Sequence, residues 1–135
     1  MHCIVAVVQR LRRGLMHNVD MIKVYGIPNC DTVKKARAWL TEQGLAHSFH
    51  DFKNLGVPAA ELDTWITTLG LERLVNRKGT TWRQLPPETQ GAMGHPQTAG
   101  RLLMEHASVI KRPVVQWPQG TMTVGFDAAA WSTLC

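Results

Sequence analysis

Cys30 is the residue whose type and setting suit it to chemistry, and the chemistry is that of a thiolate nucleophile. It lies in the stretch MIKVYGIPNCDTVKKAR, from Met21 to Arg37. Ile22, Val24 and Tyr25 favour a strand, Gly26 and Pro28 end it, and from Asp31 onward the residues favour a helix, which puts Cys30 at the helix's first turn. The first backbone N–H groups of a helix have no intrahelical partner. Together with the positive end of the helix dipole they favour a charged sulfur over a neutral thiol. A free cysteine titrates near ~8.5, and cysteines at helix starts or beside cations fall well below that. Lys34, one turn on, adds a cation, whereas Asp31 opposes the shift if its carboxylate leans toward the sulfur. Most single cysteines are small buried hydrophobes. This one follows Gly-Ile-Pro-Asn in a turn, a position that aims a side chain away from a packed strand.

The elements that must position Cys30 follow from the pattern around it. After the strand Met21–Gly26 comes a helix over Thr32–Gln43 that buries Val33, Ala36 and Leu40, with Gly44 suited to a left-handed cap. His47–Lys53 reads as a second strand, parallel to the first because a crossover helix separates them. His47 and His50 are three apart, on opposite faces of such a strand, which argues against a metal pair. Pro58 suits a first helical position, and Leu62, Trp65, Ile66 and Leu69 make the apolar stripe of the next helix, closed by Gly70. Asn76–Trp82 reads as a polar loop whose cations and hydroxyls suit an anion. Pro86–Gly100, rich in Pro, Gly, Gln and Thr, is expected to hold the least order, before a helix over about Thr98–His106. Pro113 then begins a strand, Met122, Val124 and Phe126 alternate as another, Pro118-Gln119-Gly120 joins the two, and Asp127 caps a final helix over Ala128–Leu134. The expected order is β-α-β, a helical insert, then β-β-α.

A chain of 135 residues is long enough for one self-sufficient core, here expected over residues 21–135. Residues 1–20 read as a flexible arm or as the product of an early start codon, since Met16 and Met21 can each begin the domain. Their apolar run precedes the arginines, the wrong order for a secretory signal, and it is too short to cross a membrane. Three scattered cysteines, Cys3, Cys30 and Cys135, imply no disulfide framework and suit the reducing cytoplasm. The net charge of +5 is dispersed, without a basic run or interleaved aromatics, which disfavours nucleic acid and suits small anions such as glutathione.

The order of elements, with a cysteine after the first strand and a proline at the third, resembles the thioredoxin fold with a mixed four-stranded sheet. The blocks Tyr25-Gly26-Ile27-Pro28-Asn29-Cys30-Asp31-Thr32, Lys34-Lys35-Ala36-Arg37, Asn76 to Arg83 and Ile110-Lys111-Arg112-Pro113 more closely resemble the arsenate reductase-related (ArsC/Spx-like) family and its YffB-type branch of glutathione-dependent thiol reductases. The resemblance implies a monothiol oxidoreductase with Cys30 as catalytic residue and Arg77, Arg112, Lys34 and Asn29 around an anion or glutathione. It also implies a cis peptide before Pro113, with Pro28 and Thr32 as structural residues of the site, and no metal or resident cofactor. Glutathione would be the co-substrate, with glutaredoxin as an optional partner, and the chain a monomer with no nucleic-acid or membrane partner. Val33 replaces the second cysteine of a Cys-x-x-Cys site, so an outside thiol must release any mixed disulfide. Met122 stands where the arsenate reductases carry a third anion-binding arginine. The alternatives are an arsenate reductase linked to glutathione and glutaredoxin, and an Spx-like, non-catalytic regulator that docks on the C-terminal domain of the RNA polymerase alpha subunit.

Overall fold

The computed structural model describes residues 21–134. The expectations for residues 1–20, Cys3 and Cys135 fall outside these. The chain divides into two compact units, one formed by the segments up to Asp51 and from Arg112 onward, the other by Phe52–Lys111.

The first unit is built on β1 (Ile22–Gly26), α1 (Asp31–Glu42), β2 (His47–Asp51), β3 (Val114–Gln116), β4 (Met122–Val124) and α8 (Ala128–Trp131). The sheet order is β2-β1-β3-β4. β1 and β2 run parallel, from Ile22 opposite His47 to Gly26 opposite Asp51, while β3 is antiparallel to both β1 and β4. This is the mixed, thioredoxin-like sheet expected from the sequence. Val33, Ala36 and Leu40 form the buried face of α1. The helix ends in paired backbone bonds, Leu45 N–H to the Leu40 carbonyl and Gly44 N–H to the Thr41 carbonyl, with Gly44 at φ +69°. Such an ending needs a left-handed residue, which glycine adopts without a Cβ clash. Ile22, Val24, Ala36, Leu40, Leu45, Val115, Trp117 and Trp131 make the core of this unit. Trp131 sits at its centre, edge-on to Trp117 at 5.1 Å and to Phe126 at 4.8 Å.

Asp127 caps α8 as the sequence implies. Its Oδ1 accepts from the N–H groups of Ala129 and Ala130 at 3.1 and 3.2 Å. Asp127→Ala leaves both donors to water and is expected to lower stability by about 1 kcal/mol. A urea titration, which should show a lower midpoint with an unchanged slope, checks this.

The second unit contains α2 (Phe52–Leu55), α3 (Ala59–Leu69), α4 (Leu71–Leu74), α5 (Thr80–Gln84), α6 (Pro87–Ala92), α7 (Pro96–Glu105) and a 3-10 turn over Ala107–Val109. Its C-terminal end is tied back to the residues that follow α4 by an isolated bridge between Val75 and Ile110, with Asn76 N–H to the Val109 carbonyl and Lys111 N–H to the Leu74 carbonyl, each 2.7 Å. No helix of the described residues is long and apolar enough to cross a membrane.

Several boundaries differ from the sequence reading. β2 stops at Asp51 because Phe52 starts a helical turn, closed by Gly56 N–H on its carbonyl, and buries its ring 6.0 Å from that of Trp65. Phe49 and Phe52 are three apart, so a continuous strand would have put them on opposite faces. Pro58 is the cap of α3 and not its first residue, since its carbonyl accepts the first helical bond, from Leu62. The polar loop ends early: Thr80, Thr81 and Trp82 already belong to α5. The stretch expected to be least ordered holds two helices. Pro87 and Pro96 stand at their first turns, where the missing N–H costs nothing, and Met93 and Ala99 are fully buried. Phe126 lies beyond β4, after a left-handed Gly125, and α8 stops at Trp131.

Candidate active site

β1 ends at Gly26, Pro28 and Asn29 form a turn, and Cys30 caps the start of α1 in extended conformation. Its φ of −118° and ψ of 125° place the carbonyl to accept Lys34 N–H at 2.9 Å. The thiol is free and partly exposed. Serine, threonine, asparagine and aspartate usually occupy a cap because their oxygen bonds a first-turn N–H. Cys30 makes no conventional cap bond. Instead, the N–H groups of Val33 and Thr32 lie where they stabilise charge on the sulfur.

Five influences act on this thiol. Burial, the strongest, pushes it up, while the Val33 N–H, the hydrogen bond and positive charge of Arg112, and the Thr32 N–H push it down. The lowering influences prevail, so Cys30 titrates below the ordinary thiol value. Hydrogen bonds and a nearby cation both favour the charged form, and in a partly desolvated setting they act more strongly than in water.

Arg112 reaches Cys30 from the residue before Pro113, at the head of β3. The Arg112–Pro113 peptide is cis, as the resemblance implies, and Pro113 is buried. Tyr25, next to Gly26 in β1, pairs with Val114, next to Pro113 in β3. Sheet pairing therefore brings together two residues that the sequence separates by most of its length. A guanidinium offers a planar fork of donors, so Arg112 can hold a carboxylate or an oxyanion at the sulfur as well as the thiolate itself.

The other sequence-predicted site residues divide into two groups. Cys30, Pro28, Asn29, Thr32, Lys34, Arg112 and Pro113 belong to the first unit, and Arg77 belongs to the second. Thr32 acts through its backbone. Lys34, expected to supply the cation, is exposed and contributes its backbone N–H to the Cys30 carbonyl, while Arg112 is the cation that acts on the sulfur. Asn29 is exposed and Pro28 half-buried. Arg77 is exposed, with its guanidinium carbon 5.8 Å from the Trp82 ring centre, and Lys78 N–H closes a turn on Asn76 Oδ1 at 3.2 Å. Met122 lies in β4 opposite Gln116. The donor missing from the sequence reading is the N–H of Val33 in particular. Its only signal was the general one, that a helix's first turn leaves N–H groups unpaired.

The ArsC family profile matches residues 25–134. An uncharacterized protein of Haemophilus influenzae is 39% identical over 107 residues, which is 79% of this chain and 92% of that protein. The solved structure of a YffB protein superimposes with a TM-score of 0.78 at 37% identity, over 84% of this chain and 98% of its own. The solution structure of an arsenate reductase (ArsC) related protein from Brucella melitensis gives a TM-score of 0.66 at 40% identity, over 84% and 92%. The blocks around Cys30 and Arg112 fall inside the matched residues, and the chain belongs to the ArsC family, in its arsenate reductase-related, YffB-type branch.

Proposed function

We propose that the chain is a monothiol, glutathione-dependent reductase of mixed disulfides, with Cys30 as nucleophile. The observation that carries this is the environment of one sulfur: two first-turn N–H groups and one guanidinium favour its thiolate against the opposing effect of burial. The Cys30 thiolate attacks the glutathione sulfur of a mixed disulfide. The old S–S bond breaks, the substrate leaves as a thiolate that takes a proton from water, and Cys30 is left disulfide-bonded to glutathione. A second glutathione thiolate then attacks the glutathione sulfur of that adduct, releasing glutathione disulfide and restoring Cys30. Val33 stands three residues on, in the place of a second cysteine, so the outside thiol completes the cycle. Arg112 would steady the glutathione carboxylate and stabilise the thiolate in both steps. Reduced glutathione is required, which makes the cytoplasm the proposed compartment.

Incubation with glutathione disulfide should add one glutathione to the Cys30 peptide, read by mass spectrometry, and reduced glutathione should remove it. A chain that forms no such adduct, and is captured instead by the C-terminal domain of the polymerase alpha subunit, would be a docking module and would sink the enzyme reading.

A second reading is favoured by the name of the Brucella relative, an arsenate reductase related protein. A thiolate beside an arginine also suits an oxyanion. Arsenate-dependent consumption of glutathione in the presence of glutaredoxin would support that reading over the first.

A further inference from the structure

Gly26 is buried at the end of β1, and the space beside its α-carbon is already taken. A Cβ placed there would lie 3.0 Å from Val33 Cγ2, 3.7 Å from Val33 Cγ1 and 3.9 Å from Arg112 Cβ. Carbon atoms in comfortable contact stand about 3.5–4.0 Å apart, so the Arg112 contact is ordinary and the first Val33 contact is not. We propose that Gly26 is a positioning residue, whose missing side chain lets the end of β1 close on Val33 and Arg112, the residues that present an N–H and a guanidinium to Cys30.

The strand has little freedom to yield. Gly26 is in register with Asp51 of β2, and Tyr25 is in register with Val114 of β3, so β1 is held from both sides. Val33 has little freedom either. It is fully buried, and as a β-branched residue it is stiff about its first side-chain torsion. A methyl at position 26 therefore requires Val33 to give by a few tenths of an ångström, and in this inference the Val33 N–H at the start of α1 moves with it. The inference deepens the reading of Cys30 as a reactive thiolate and rests on it.

The test is the pH profile of Cys30 alkylation by iodoacetamide, followed on the Cys30 peptide, for the parent, Gly26→Ala, Val33→Ala and the double variant. Below its midpoint Gly26→Ala is expected to react about threefold more slowly than the parent, with the profile moved to higher pH, because less of the thiol is ionised. Val33→Ala removes both methyls that meet the new Cβ and keeps the backbone N–H. The double variant should therefore react as Val33→Ala does. A Gly26→Ala profile that overlays the parent's overturns the inference, as does a slow variant that Val33→Ala fails to restore. If Gly26→Ala does not fold, the double variant carries the test: folded and as reactive as Val33→Ala supports the inference, unfolded or slow overturns it. A parent whose Cys30 titrates like free cysteine contradicts the functional reading instead, so the two failures are distinguishable.

Discussion

Cys30→Ser should abolish glutathione-linked disulfide reduction while leaving the fold as stable as the parent or slightly more so. The hydroxyl of serine is essentially un-ionised at neutral pH and forms no disulfide, so the rate falls to that of uncatalysed thiol exchange, on the order of a hundredfold or more. The effect on stability has the opposite sign. Cys30 occupies the N-cap of α1 without a conventional cap bond, and serine is a preferred residue at that position, so its oxygen can accept from a first-turn N–H. The gain is expected to be a few tenths of a kcal/mol, up to about 1. A spectroscopic urea titration beside a turnover assay with a small glutathione mixed disulfide separates the two. An inactive but unfolded variant would make Cys30 a structural residue, and an active variant would end its role as nucleophile.

Arg112→Ala carries the second largest expected effect. It removes a hydrogen bond and a positive charge from the sulfur and leaves the Val33 and Thr32 N–H groups in place. Hydrogen bonds to charged groups contribute about 1.5–3 kcal/mol, so alkylation of Cys30 below its midpoint should slow by about tenfold or more, with the profile moved to higher pH. Arg112→Lys keeps the charge and loses the fork, and should fall between the parent and alanine. The turnover defect should exceed the alkylation defect if the same guanidinium also holds the glutathione carboxylate. Equal defects would confine Arg112 to the thiolate, and an alanine variant that alkylates as the parent does would remove it from the site.

The position of Cys30 at a helix start was legible in the sequence because its signals are local. Gly26 and Pro28 break a strand, Asp31 opens a helix, and the residue between them falls at the helix start, where N–H groups are unpaired. The source of the positive charge was not legible in the same way. Spacing pointed to Lys34, one turn along, but on an exposed helix face that side chain has water to turn to. Arg112 arrives through sheet pairing, and only the resemblance of its Lys-Arg-Pro block to a known family anticipated it. The close fit of Gly26 against Val33 is likewise a tertiary contact between a strand end and a helix start. No periodicity encodes it.

The same division explains the errors in the insert. Gly91, Gly94, Pro87 and Pro96 read as breakers when counted together, yet each proline starts a helix, and Met93 between them and Ala99 just after Pro96 are buried. Composition reports what a segment contains, whereas order depends on where in a turn each residue falls. Asp127 was legible for the converse reason, since a cap is defined by residues two and three positions away.

The most direct measurement is the rate of Cys30 alkylation as a function of pH in the intact parent protein, read by mass spectrometry on the Cys30 peptide so that Cys3 and Cys135 do not contribute. Because the native thiol is lowered, its thiolate should persist to more acidic pH than that of free cysteine, and the rate should reach its plateau earlier on the pH axis. A midpoint at or above that of free cysteine under the same conditions would contradict the assignment of Cys30 as an activated nucleophile.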